Sequence, residues 1–202
     1  MKKRTKVLLL LLSAVLLVAA SVFGTLAYLT SQGSVNNTFT VGKVGIKLEE
    51  TLVTEYGVAK EPRTMTSSNA YKLIPGHTYK KDPTITVSAD SEDCYIFVKI
   101  ENGLGNDGTI IYNQNKQINW AEQTDWQAIT GYSGQVWAYN GELSTNGIVP
   151  AGTVIKVFDA FKFGEQANPE NYGSSTIKVT AYAIQADGFE DKGFAAIWEE
   201  LK

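Results

Sequence analysis

Histidine, cysteine and arginine are nearly missing from this chain. Its 202 residues include one His (His77), one Cys (Cys94) and two Arg (Arg4 and Arg63). A single cysteine excludes an intramolecular disulfide. A cysteine nucleophile needs a histidine base beside it, and only one such pair could be drawn. A zinc site usually takes three protein ligands, most often with paired His, and no His-Glu-x-x-His run occurs. A Gly-x-Ser-x-Gly elbow and a phosphate-binding Gly-rich loop are absent too. The expectation is a protein that is not an enzyme and holds no metal or cofactor. His77 follows Pro75-Gly76 and reads as an exposed turn residue. Cys94 falls mid-strand on an apolar face and reads as a small core residue.

Charge is missing from Val7 to Leu29, a run dominated by Leu, Val and Ala. Lys2, Lys3, Arg4 and Lys6 precede it, and Gly24-Thr25-Leu26-Ala27-Tyr28 ends it. A basic start, an apolar middle and small residues at the cut describe a secretory signal peptide. Such peptidases require small side chains one and three residues before the cut. Ala27 and Thr25 meet this, so cleavage before Tyr28 is expected, leaving 175 residues. The alternative is an uncleaved anchor, since a bilayer is spanned by about 20 apolar residues. Either way the basic cluster holds the N-terminus in the cytoplasm and the remainder lies outside.

The signal carries four of the 18 basic residues and none of the 21 acidic ones, leaving 14 against 21, a net charge of −7. With Arg63 as its one arginine, that acidic remainder lacks the clustered Lys and Arg that phosphate binding needs, which excludes nucleic acid. It has no basic patch for anionic lipid, so membrane contact is expected only through the signal segment. An exported domain without disulfides relies on its core and suits a Gram-positive surface.

Period-two alternation dominates the rest. Val44, Ile46 and Leu48 alternate with polar residues, as do Ile85 and Val87. Cys94, Ile96, Val98 and Ile100 form a longer run, and further runs cover 155–162 and 177–184. Shorter candidates are Thr109 to Tyr112, Trp126 to Thr130 and Gln135 to Tyr139. Such runs predict half-buried strands, and Gly- and Asn-rich turns such as Pro75-Gly76 and Asn140-Gly141 separate them. The predicted fold is all-β, an antiparallel β-sandwich or jelly roll. Glu55 to Tyr71 has weak periodicity and reads as a mobile loop. Phe194, Ile197, Trp198 and Leu201 form an apolar stripe that predicts a short C-terminal helix over one end of the sandwich. The predicted organisation is a signal helix at 1–27, a mature N-terminal segment at 28–43 and the β-domain at 44–202.

Several stretches resemble the TasA/camelysin family of Gram-positive surface proteins. They are Gly24-Thr25-Leu26-Ala27-Tyr28-Leu29-Thr30, Asn37-Thr38-Phe39-Thr40-Val41-Gly42, the strand Val44 to Leu48, the turn Leu73-Ile74-Pro75-Gly76 and the strand Ile177 to Ala183. The resemblance covers the first 50 residues well and the rest loosely. It implies export, removal of the signal by a peptidase of the SipW type, and a jelly-roll subunit that self-associates into fibres of the biofilm matrix. It also implies that the mature N-terminal segment completes the sheet of the next subunit. Tyr28 to Thr40 suits that role, being short of charge, with Leu29, Val35, Phe39 and Val41 as apolar pegs. The alternative is a leader that stays within its own domain. The camelysin branch implies metallopeptidase activity, for which the chain lacks paired histidines.

Two weaker signals remain. Trp126, Trp137 and Tyr139 lie in an aromatic stretch that also holds Trp120 and Tyr132. They are candidates for a glycan-stacking platform on a monomeric surface module, or for core. Asp90, Glu92 and Asp93 form an acidic turn that either binds Ca²⁺ or is simply solvated.

Overall fold

The computed structural model describes residues 30–33, 43–132 and 135–201. The predicted signal with Thr25 and Ala27, together with Tyr28, Leu29, Val35, Phe39 and Val41, lies outside them. Fourteen strands and one short α-helix are described. In chain order the strands are β1 (Thr30–Gly33), β2 (Ile46–Thr51), β3 (Met65–Thr66), β4 (Thr78–Lys80), β5 (Thr84–Val87), β6 (Cys94–Asn102) and β7 (Gly108–Asn113). There follow β8 (Ile118–Asn119), β9 (Trp126–Ala128), β10 (Val136–Tyr139), β11 (Ile148–Val149), β12 (Val154–Lys156), β13 (Ala160–Phe163) and β14 (Ile177–Gln185). The helix α1 spans Phe194–Glu199.

Every strand pairing among the described residues is antiparallel. The main sheet runs β1-β14-β6-β10-β9, and β11 also pairs with β6. A second sheet runs β12-β5-β2-β3 and a third β4-β13-β7-β8. The largest core cluster lies where all three meet. Ile96, Val98, Ala181 and Ala183 come from the main sheet, Ile85, Val87 and Ile155 from the second, and Ile110 from the third. Each large apolar side chain removed from water there contributes about 1.5–3 kcal/mol.

Strand β6 is covered on both faces. Cys94, Ile96 and Val98 point into the three-sheet core, whereas Tyr95 and Phe97 belong to a second cluster built with Ile197 and Trp198. The aromatic residues at alternate positions, Tyr95 and Phe97, are therefore buried under α1. Trp198 packs on Phe97 at 5.5 Å and edge-on to Tyr182 at 4.9 Å. The predicted stripe of the C-terminal helix points at the sheet: Ile197 and Trp198 are buried, with Phe194 and Leu201 packed beside them. The helix comes so close that a Cβ on Gly147 would sit 2.5 Å from the Phe194 ring, and Gly147 has φ +82°.

The run at 155–162 is not one strand. Its first half, β12, pairs with β5 and its second half, β13, pairs with β7 and β4. Val157 and Phe158, both fully buried, carry the chain across the core between two sheets. The Val157 N–H donates to Pro83 O and the Asp159 N–H to Ile111 O, so backbone hydrogen bonds flank the crossing at Phe158 on both sides. The stretch from Glu55 to Tyr71 is non-repetitive apart from β3, yet it is tied down: Leu52 N–H donates to Thr64 O and Lys72 N–H to Glu55 O.

Candidate functional site: the open edge of the main sheet and an aromatic cleft

Strand β14 is nine residues long, and its whole length from Ile177 to Gln185 pairs with β6. On its other side stands β1, whose register sets Thr30 opposite Ile184, Ser31 opposite Ala183, Gln32 opposite Tyr182 and Gly33 opposite Ala181. The contact therefore covers four of nine positions. Among the described residues no strand pairs with Ile177 to Thr180 along this edge, where the exposed Lys178 reaches Glu101 at 3.8 Å. A charged residue on an edge is a common guard against unwanted pairing. Next to β1, β14 offers the small and fully buried Ala181 and Ala183 on its core side. Residues 34–42, between β1 and the body, lie outside the described residues.

The aromatic stretch divides into core and rim. Trp126 is 3% exposed and Tyr139 4%, with rings 5.1 Å apart, so neither presents a face to a ligand. Trp137 is half-buried, and its neighbour is Trp120 at 5.2 Å and 78°. Trp120 starts a 3-10 turn, Trp120–Glu122, in which the Glu122 carboxylate accepts from the Asn119 N–H at 3.2 Å. These two indoles, with Ile100, Asn102, Thr109 and Asn119, line an open cleft of about 300 Å³. Among the described residues no charged side chain lines it. A sequence reading that weighs aromatics by proximity in the chain does not separate Trp126 from Trp120. What separates them is that Trp126, on β9 of the main sheet, enters the three-sheet core, whereas Trp120 packs against that core from a turn, a tertiary fact.

The other singled-out residues are dispersed. His77 is half-buried at its turn, with Nε2 3.0 Å from Tyr56 O and the ring edge-on to Tyr79. Gly76, before it, has φ +76°, as a Pro-Gly turn requires. Cys94 is fully buried, and burial, helped by the nearby Asp93 charge, pushes its thiol up to about 12. A thiol held protonated in that way is no nucleophile. In the acidic turn, Asp93 accepts from the Ala151 N–H at 3.2 Å. Among the described residues no group of three or more His, Cys, Asp or Glu is arranged to hold a metal ion. Comparison of the chain with protein-family models, with curated proteins and with solved structures finds no match.

Proposed function

We propose that this chain is an exported structural protein of the extracellular matrix or cell surface, resembling TasA-like fibre subunits. In this reading its sheets form a β-sandwich of jelly-roll type, a SipW-type peptidase cuts between Ala27 and Tyr28, and the released segment is an exchangeable strand. The observation that carries it is the position of β1. Among the described residues it is an edge strand, short, and N-terminal to all the others. A strand so placed can be replaced by the same segment of another copy at little cost, because the main-chain hydrogen bonds lost are the ones regained. Such an exchange is head-to-tail and does not close, so it builds filaments.

Deleting Tyr28 to Thr40 should leave a folded domain, judged by near-ultraviolet circular dichroism, that forms no fibres under the electron microscope. Normal fibres from the folded truncation would end the strand-exchange reading. A second reading, a monomeric glycan-binding module, is favoured by the cleft between Trp120 and Trp137. A neutral rim with half-exposed indoles suits stacking of an uncharged sugar ring. Under that reading, Trp137→Ala abolishes glycan-array binding and leaves the fold intact, whereas an array with no binding by the parent protein removes the reading.

A further inference from the structure

Lys81, Glu50 and Asn69 meet at a site that neither reading of function uses. The Glu50 carboxylate stands between the other two. Its Oε2 is 2.7 Å from Lys81 Nζ and its Oε1 accepts from Asn69 Nδ2 at 3.0 Å. The side chains of Lys81 and Glu50 are only 12% and 5% exposed. Neighbouring charges are satisfied elsewhere: Asp82 accepts from the Thr51 N–H and hydroxyl and pairs with Lys80 at 3.1 Å, while Arg63 lies 3.8 Å from it. Glu50 is thus left to Lys81 and Asn69.

The Asn69 amide is fixed at both ends. Nδ2 also donates to Thr51 O at 2.9 Å, and Oδ1 accepts from the Val53 N–H at 2.9 Å. A backbone N–H on the amide oxygen is the donor that stabilises an oxyanion when the carbonyl carbon is attacked. Tyr71 walls the site. Its ring packs edge-on to Tyr79 and Phe161 at 5.5 and 5.1 Å, and its hydroxyl donates to Lys80 O at 3.0 Å.

A largely buried amine and carboxylate, with a half-buried and polarised amide on that same carboxylate, are the parts of an amide-exchange reaction. We propose that Lys81 and Asn69 become joined by an intramolecular isopeptide bond, with Glu50 as the proton carrier. Glu50 takes a proton from the Lys81 ammonium, and the neutral amine attacks Asn69 Cγ. The charge that develops on Oδ1 is held by the Val53 N–H. Glu50 passes its proton to Nδ2 as the Cγ–Nδ2 bond breaks, and ammonia leaves. The proton still carried by the newly bonded nitrogen then goes to Glu50. One C–N bond breaks, one forms, and no oxidant or cofactor is required. Holding amine and amide on one shared carboxylate replaces the concentration that an untethered pair would need, and general acid–base catalysis supplies the proton transfers.

Peptide mapping of the purified full-length protein by tandem mass spectrometry tests this. The expected result is a branched tryptic peptide joining the segment that holds Asn69 to the one that holds Lys81, lighter than the sum of its parts by one ammonia. Lys81→Arg retains the positive charge opposite Glu50 but has no amine, and should lose the branched peptide completely with the near-ultraviolet spectrum unchanged. Glu50→Gln should lose it as well. Two separate linear peptides from the folded parent protein would overturn the proposal. So would an ammonia loss confined to the Asn69 peptide, which marks cyclisation of the asparagine onto its own backbone.

Discussion

Asp82 shows how a single buried charge sets a condition on the whole fold. Burial alone would raise its pKa, but the Thr51 N–H and hydroxyl and the Lys80 ammonium outweigh burial and hold it below its ordinary 3.8. A carboxyl whose folded pKa is depressed contributes stability that is fully present above the unfolded value and is lost as pH falls through the folded one. The denaturant midpoint of the protein is therefore expected to fall as the pH is taken below about 3.8. In Asp82→Asn, the part of that fall due to this group should be missing. At neutral pH the same variant should be less stable by about 1.5–3 kcal/mol, the usual worth of a hydrogen bond to a charged group. An acid profile of Asp82→Asn that parallels the parent's would show that other carboxylates carry the effect. None of this could be read from the sequence, where Asp82 is one acidic residue beside two lysines. Its partner Thr51 lies 31 positions away, at the end of β2.

At the scale of elements the sequence was most readable where burial is one-sided or complete over a whole strand. The alternation at 84–87 and at 177–184 became β5 and β14, and the apolar stripe from Phe194 to Leu201 became α1. It was least readable where one period hides a change of partner. The run at 155–162 alternates without a break, yet the chain leaves one sheet for another at Val157 and Phe158, both of which are core in either arrangement. Alternation reports which face is buried, and it carries no information about which strand lies alongside. The helix has a defined task at this scale, the covering of Phe97 and Tyr182 by Trp198. Trp198→Ala should cost about 3–5 kcal/mol, the range for large aromatic truncations in a core. Chemical denaturation followed by circular dichroism measures this, and a loss below about 1 kcal/mol would mean that the sheet tolerates an uncovered outer face.

For the whole molecule, the all-β character and the terminal helix were legible, because they depend on local periodicity. The candidate sites were legible only in part. Trp137 could be named from composition, but its partner across the cleft is Trp120, and Trp126 belongs to the core. The cluster of Glu50, Asn69 and Lys81 had no sequence signature at all. Glu50 is the penultimate residue of β2, Asn69 lies in a stretch without periodicity, and Lys81 stands between two strands, so only folding brings them together.

The pairing of β6 with β14 has a consequence in time. Residues 94–102 find their longest partner at 177–185, near the far end of the chain. Contacts of such high sequence separation are entropically expensive to close and make folding slow. As the chain is synthesised, its central strand must wait with one edge unpaired until residues 177–185 are available. Under the export proposed above, passage through a membrane pore requires the chain to stay unfolded, and this order of the strands would supply that delay.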